Sequence, residues 1–164
     1  MKNLPPNMEQ LILSDNQIYG AFPKALENAV NLRQLDMSTN MLSGEVPDFS
    51  ALSPDLRVLN LSNQKQGNRA GFIGPIPEGL ANLDFLTTLM LRGNSLSGTI
   101  PLVLGDMGQL RVLDLANNQL SKLIPASFGK LEGKFLCSML FPYSMIPTPT
   151  WLNVILLYRY IRSS

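Results

Sequence analysis

The pattern L-x-x-L-x-L-x-x-N-x-L-x-G-x-I-P is written into this chain five times, and units this short can bury their leucines only by stacking on one another. The copies open at Met8, Leu32, Leu56, Leu86 and Leu110, so the steps are 32 − 8 = 24, 56 − 32 = 24, 86 − 56 = 30 and 110 − 86 = 24. The third copy therefore carries 30 − 24 = 6 extra residues, between Gln64 and Phe72. Repetition at this period predicts a solenoid in which each coil touches only its neighbours.

Within each copy the alternation Leu11/Leu13, Leu35/Met37, Leu59/Leu61, Leu89/Leu91 and Leu113/Leu115 is that of a half-buried strand. These residues are expected to face inward. Successive strand residues point to opposite sides, so the outward positions are Gln10, Ile12 and Ser14, then Gln34, Asp36 and Ser38, then Val58, Asn60 and Ser62. The last two coils add Thr88, Met90 and Arg92, then Val112 and Asp114. Stacked coils would place them side by side on one face, the candidate ligand-binding surface. Ile12, Val58, Met90 and Val112 stand out there, either as ordinary isolated surface apolar residues or as parts of a peptide or protein contact.

After each strand comes Asn16, Asn40, Asn94 or Asn118, with Gln64 in the third copy. An amide side chain carries donors and an acceptor, so this column is expected to satisfy backbone groups where the chain turns away from the sheet. Next come Gly20, Gly44, Gly74 and Gly98, each followed two residues later by an apolar residue and proline, as in Val46-Pro47 and Ile100-Pro101. Glycine allows conformations other residues resist, and proline gives up a hydrogen-bond donor. An irregular outer wall without ladder partners is predicted there. Leu26, Leu52, Leu80, Leu83, Leu104, Met107, Phe128 and Leu131 are expected to fill the convex side of the core.

The segments Met41 to Pro47 and Ser95 to Pro101, together with LRVLDLANNQLSKLIPASFGK from Leu110 to Lys130, resemble plant-type leucine-rich repeats. They are similar to ectodomains of receptor-like proteins, receptor-like kinases and polygalacturonase-inhibiting proteins. The resemblance covers residues 8 to about 131. It implies an α/β solenoid, a horseshoe with a parallel β-sheet on its concave face and irregular or 3-10 segments on its convex side. It also implies recognition of a protein or peptide ligand, with a leucine-rich-repeat co-receptor as partner, at the cell membrane or outside the cell, in signalling or defence. The alternatives are an inhibitor of a secreted cell-wall hydrolase and a degenerate fragment without function.

Composition removes whole classes of chemistry. There is no histidine, so Ser-His-Asp, Cys-His and His-ligated metal sites are excluded together. The sole cysteine, Cys137, cannot form an intramolecular disulfide. Thirteen basic against twelve acidic residues give a net charge of +1 without long runs of either sign, which is no footprint for nucleic acid. Asp36 and Asp114 would lie three strands apart, on the order of 14 Å, too far for paired-carboxylate hydrolysis. Neither an enzyme nor a cofactor is expected.

Arg33, Arg57 and Arg111 recur one residue after the leucine that opens the copy, and are expected to lay their stems over a neighbouring coil with their heads in water. Asn60-Leu61-Ser62 is the chain's one N-x-S/T acceptor, so Asn60 is the candidate glycosylation site of a secreted form. The outward Asn60 is expected to tolerate substitution within about 0.5 kcal/mol. The insertion at 65–70, within KQGNRAG, should loop into solvent and is either a recognition loop or a tolerated insertion.

Three parts follow: a lead-in at 1–7, repeats at 8–134 and an apolar tail at 135–164. The lead-in lacks the paired-cysteine cap of the resembling family and the h-region of a signal peptide, so the chain is expected to be a fragment or truncated product with no kinase domain. At 134 the leucine positions fall on Lys134, Cys137 and Met139, and the pattern lapses. The prolines Pro142, Pro147 and Pro149 interrupt the uncharged run from Phe135 to Tyr158. The tail is read as a membrane anchor, a C-terminal cap or a non-native extension.

Overall fold

The computed structural model describes residues 5, 7–64, 67–68, 70–121, 125–130 and 136–138. Strands Gln10–Ile12, Gln34–Asp36, Val58–Asn60, Thr88–Met90, Val112–Asp114 and Leu136–Ser138 form one six-stranded sheet in that order. Every pair in it is parallel. Leu11, Leu35, Leu59, Leu89 and Leu113 are successive Cα partners, so the sheet keeps register across the six-residue insertion. Gly67, Asn68 and Ala70 of that insertion are exposed.

The sheet extends beyond the last leucine copy. Leu136, Cys137 and Ser138 pair with Val112, Leu113 and Asp114, although the leucine pattern has lapsed. A parallel ladder is made by backbone groups and does not require leucine. The rest of the tail, with the anchor and cap readings placed on it, lies outside the described residues, as do most of the lead-in, Ile124 and Leu131. Among the described residues no helix is long and apolar enough to cross a membrane.

The wall expected to be irregular is partly paired. Gly44–Glu45, Phe72–Gly74, Ser95–Gly98 and Gln119–Leu120 form a second parallel sheet, and Tyr19–Gly20 pairs with Met41–Leu42. Backbone bonds such as Ser43 N to Gly20 O at 2.8 Å and Ser121 N to Gly98 O at 2.7 Å extend these ladders. The glycine column sits at positive φ, 79° at Gly98 and 96° at Gly20. Pro23 and Pro77 fall after the paired residues and directly before the convex turns, where a missing N–H costs nothing.

Those turns are 3-10 segments, Lys24–Asn28, Phe49–Ala51, Glu78–Asn82 and Ala126–Lys130, with an α-helical turn at Val103–Asp106. They close the core. Leu26, Leu52, Leu80, Leu83, Leu104 and Met107 are buried, with Phe128 packed against them, and the strand leucines Leu35, Leu59, Leu89 and Leu113 are fully enclosed. Phe22 and Phe49 meet edge to face at 6.1 Å and 84°, a favoured aromatic geometry. Coil-to-coil approach on this side is tight: a Cβ on Gly105 would lie 2.6 Å from the Ser127 carbonyl carbon.

Candidate ligand-binding face

Where each strand ends, the chain turns through a residue with left-handed backbone: Asp15, Thr39, Asn63 and Asn117 have φ between 52° and 58°, and Gly93 has φ 68°. The next residue is the amide column. Asn40 donates to Leu13 O, Met37 O and Ser38 O at 2.8, 3.1 and 3.1 Å and accepts from Ile18 N at 3.0 Å. Asn94 donates to Leu61 O at 3.0 Å and Leu91 O at 2.9 Å and accepts from Phe72 N at 3.0 Å. Asn118 repeats the set with Leu91 O, Leu115 O and Leu96 N.

Gln64, one methylene longer, does the same work between Met37 O at 2.8 Å and Leu42 N at 3.1 Å. Each amide thus bonds its own coil and the coil before it, and the column is structural as expected. Only Asn16, in the first coil, is exposed, and its side chain donates within its own coil, to Leu13 O and Ser14 O.

This column fixes the face beside it. The sheet register aligns Gln10, Gln34, Val58, Thr88 and Val112 in one row, and Ile12, Asp36, Asn60, Met90 and Asp114 in a second. The structure therefore brings these ten sequence-selected residues together. Gln10 and Ile12 are exposed and the other eight are half-buried.

The third expected row is corrected. Ser38 and Ser62 are only 8% and 7% exposed, so they are not open contact positions. Strand alternation stops governing direction once the chain bends toward the left-handed residue. Ser38 N and Oγ then donate to Asp36 Oδ1 at 2.9 and 2.6 Å, and Ser62 N and Oγ donate to Asn60 Oδ1 at 3.2 and 2.7 Å. Ser14 and Arg92, in the same phase, are half-buried.

Asp36, Asn60 and Asp114 consequently have a local task that the strand reading missed. Each accepts from the backbone N–H two residues on, Asp114 from Ala116 N at 3.1 Å. That is the turn an Asx side chain forms with its own backbone. Its signal was present in Asp36-Met37-Ser38 and Asn60-Leu61-Ser62. Asn60 also donates through Nδ2 to Asp36 Oδ2 at 3.2 Å, which ties the sequon asparagine to the neighbouring coil. Arg92 faces Asp114 Oδ2 at 3.8 Å.

Of the arginine column, Arg33 meets Glu9 at 3.2 Å with both side chains more than half exposed, and Arg111 donates to Gly108 O and Leu110 O. Neither contact builds a pocket. Among the described residues no group of three or more Asp, Glu or Cys is placed to hold a metal.

Comparison with known proteins agrees with this architecture. Residues 84–133 and 31–52 match models of the leucine rich repeat. A search of curated protein sequences found no match. Among solved structures, the BIR2 ectodomain from Arabidopsis thaliana is 38% identical over 72% of this chain and 59% of that one, with a TM-score of 0.65. A chain of the BIR3–SERK2 complex from the same plant is 34% identical over 81% of this chain and 70% of that one, at 0.67. The Arabidopsis receptor kinase HAESA, solved with the peptide hormone IDA and the co-receptor SERK1, is 32% identical over 91% of this chain and 24% of that one, at 0.75.

Proposed function

Because the chain belongs to the plant leucine-rich-repeat family represented by these receptor ectodomains, we propose that its concave sheet is a recognition surface for an extracellular peptide or protein. The observation that carries this reading is the pair of aligned outward rows, in which half-exposed Val58, Met90 and Val112 lie among polar Gln34, Asn60 and Thr88 and the two carboxylates of Asp36 and Asp114. A rigid sheet with fixed side-chain spacing can recognise by complementarity without a conformational cost. HAESA in complex with a peptide and a co-receptor, and BIR3 with SERK2, supply the analogy for the partners. The chain acts as a binding module at the cell surface or outside the cell, in signalling or defence, without catalysis of its own. Asn60, the register partner of Met90, accepts a glycan when the protein is secreted, and that glycan would compete with a ligand for the centre of the face.

The test is biolayer interferometry of the purified full chain against plant peptide hormones and SERK ectodomains. Binding is expected to weaken about tenfold or more on replacing Met90 by Lys, with an unchanged circular-dichroism spectrum. A folded chain that binds none of these partners would remove the reading. Secretion from plant cells followed by glycosidase treatment and intact-mass measurement tests Asn60, and an unaltered mass would dismiss the glycan.

A further inference from the structure

We propose that the strand Gln10–Ile12 is an interface at which a second copy of this chain docks, antiparallel and related by a two-fold axis through Leu11. That strand lies at one end of the six-stranded sheet. Half of its backbone is already committed: Glu9 O accepts from Arg33 N and Gln34 N at 2.7 and 3.0 Å, and Leu13 N donates to Asp36 O at 2.7 Å. Along a strand, successive residues turn their N–H and C=O groups to alternate sides. Those of Glu9, Leu11 and Leu13 therefore serve the second coil, and those of Gln10 and Ile12 point away from it.

This arrangement is complementary to itself. Gln10 and Ile12 lie symmetrically about Leu11, so an antiparallel partner centred there sets Gln10 opposite the partner's Ile12 and Ile12 opposite the partner's Gln10. In each such pair both backbone bonds are exchanged. Leu11 meets the partner's Leu11 between them, in the closer place, on the core side. Glu9 falls opposite the partner's Leu13, so no like charges are set against each other. The strand also carries no proline, lysine or bulge, the devices that keep free edges apart.

The side chains of the first coil leave the same end face open. Met8, Leu11, Leu13 and Ile18 are half-buried, whereas their counterparts Leu32, Leu35, Met37 and Leu42 are at most 1% exposed. Ile12 is 56% exposed, although Asp36, Asn60, Met90 and Asp114 in its row are half-buried. Each later amide of the column accepts a backbone N–H from the coil before it, and Asn16 Oδ1 has no donor among the described residues. Pro5 O accepts from Met8 N at 3.1 Å, the bond that Ala29 O and Leu32 N make one coil on, so Pro5 lies in the turn entering the strand and not across its free edge. An end face of one coil, roughly 25 Å by 20 Å, buries about 1,000 Å² in total when two copies meet, the lower bound for a specific interface. The dimer is accordingly weak, with a micromolar Kd, and it joins two concave faces into one sheet.

The experiment is sedimentation velocity of the full chain from about 1 to 200 µM, with folding checked by circular dichroism. A mass rising from 18.1 kDa to 2 × 18.1 = 36.2 kDa and no further is expected. Gln10→Lys/Ile12→Lys sets lysine against lysine across the axis and should weaken the dimer about tenfold, and Gln10→Glu/Ile12→Glu should do the same with carboxylates. Both positions are exposed, so the fold is kept. Mixing the two variants should restore a dimer, now with one copy of each. A folded wild type that stays at 18.1 kDa would overturn the proposal. So would a mass that keeps growing, the sign of head-to-tail stacking, a dimer unchanged in either double variant, or a mixture that stays monomeric. None of these outcomes depends on what the concave face binds.

Discussion

Replacing Asn94 by Ala should cost this protein several times more than the same change at Asn16, though both belong to one sequence column. Asn94 is about 1% exposed, and its Oδ1 accepts from Phe72 N at 3.0 Å. Truncation orphans that buried N–H. Leu61 O loses its 3.0 Å donor and keeps the 3.4 Å contact from Gln64, while Leu91 O keeps Asn118 at 2.9 Å. One orphaned donor and one weakened acceptor, at about 1–3 kcal/mol for a fully unsatisfied group, come to about 2–4 kcal/mol. Asn16 is exposed, and water can replace its donations to Leu13 O and Ser14 O, so its loss should stay within about 0.5 kcal/mol.

With a urea slope of about 1–3 kcal/mol/M, the Asn94 variant should unfold at a midpoint lower by about 1–2 M, a large displacement for a domain stable by about 5–15 kcal/mol. Urea titration of wild type, Asn94→Ala and Asn16→Ala, followed by far-ultraviolet circular dichroism, measures both shifts. Equal shifts would refute the argument, because they would mean that the amide acts through local turn propensity and not through the bond between coils.

Gly105→Ala should lower the melting temperature sharply, since the added methyl meets the Ser127 backbone at 2.6 Å and backbone cannot swing aside; a melt within 1–2 °C of wild type, about the shift expected from a few tenths of a kcal/mol, would contradict that packing. Leu59→Ala should cost about 2–5 kcal/mol through a core cavity, whereas Asn60→Gln, which moves an acceptor away from Ser62, should cost about 1 kcal/mol. Comparable losses in chemical denaturation would show the strand to be out of register. Glu9→Gln should leave stability within about 0.5 kcal/mol, because its 3.2 Å pair with Arg33 is more than half exposed; a larger loss, especially one insensitive to salt, would be evidence against a solvated pair.

The difference between Leu59 and Asn60 also locates the boundary of what the sequence could tell. Leu59 was legible because period-two alternation and burial are the same fact along a strand, and the fully enclosed leucines at 35, 59, 89 and 113 obey it. The amide column was legible because Asn40, Asn94 and Asn118 recur where the chain must turn, and even Gln64 could be placed by phase. Ser38 and Ser62 were misplaced because alternation was carried two residues past the strand, into a bend that ends at left-handed Thr39 and Asn63.

The second sheet was missed for another reason. Pairs such as Tyr19–Gly20 with Met41–Leu42 are two residues long, too short for any side-chain period, and are held by backbone groups that every residue carries. The strand Leu136–Ser138 is the same case at the end of the main sheet. Sequence therefore reports what side chains must bury, and backbone pairing becomes visible only once those side chains have fixed where the coils lie. Arg92 stands at that boundary: its phase predicted a place on the face, but Ser38 and Ser62 at the same phase are buried, and its own half-buried side chain lies beside Asp114 Oδ2 at 3.8 Å, a contact that only the folded coils bring together.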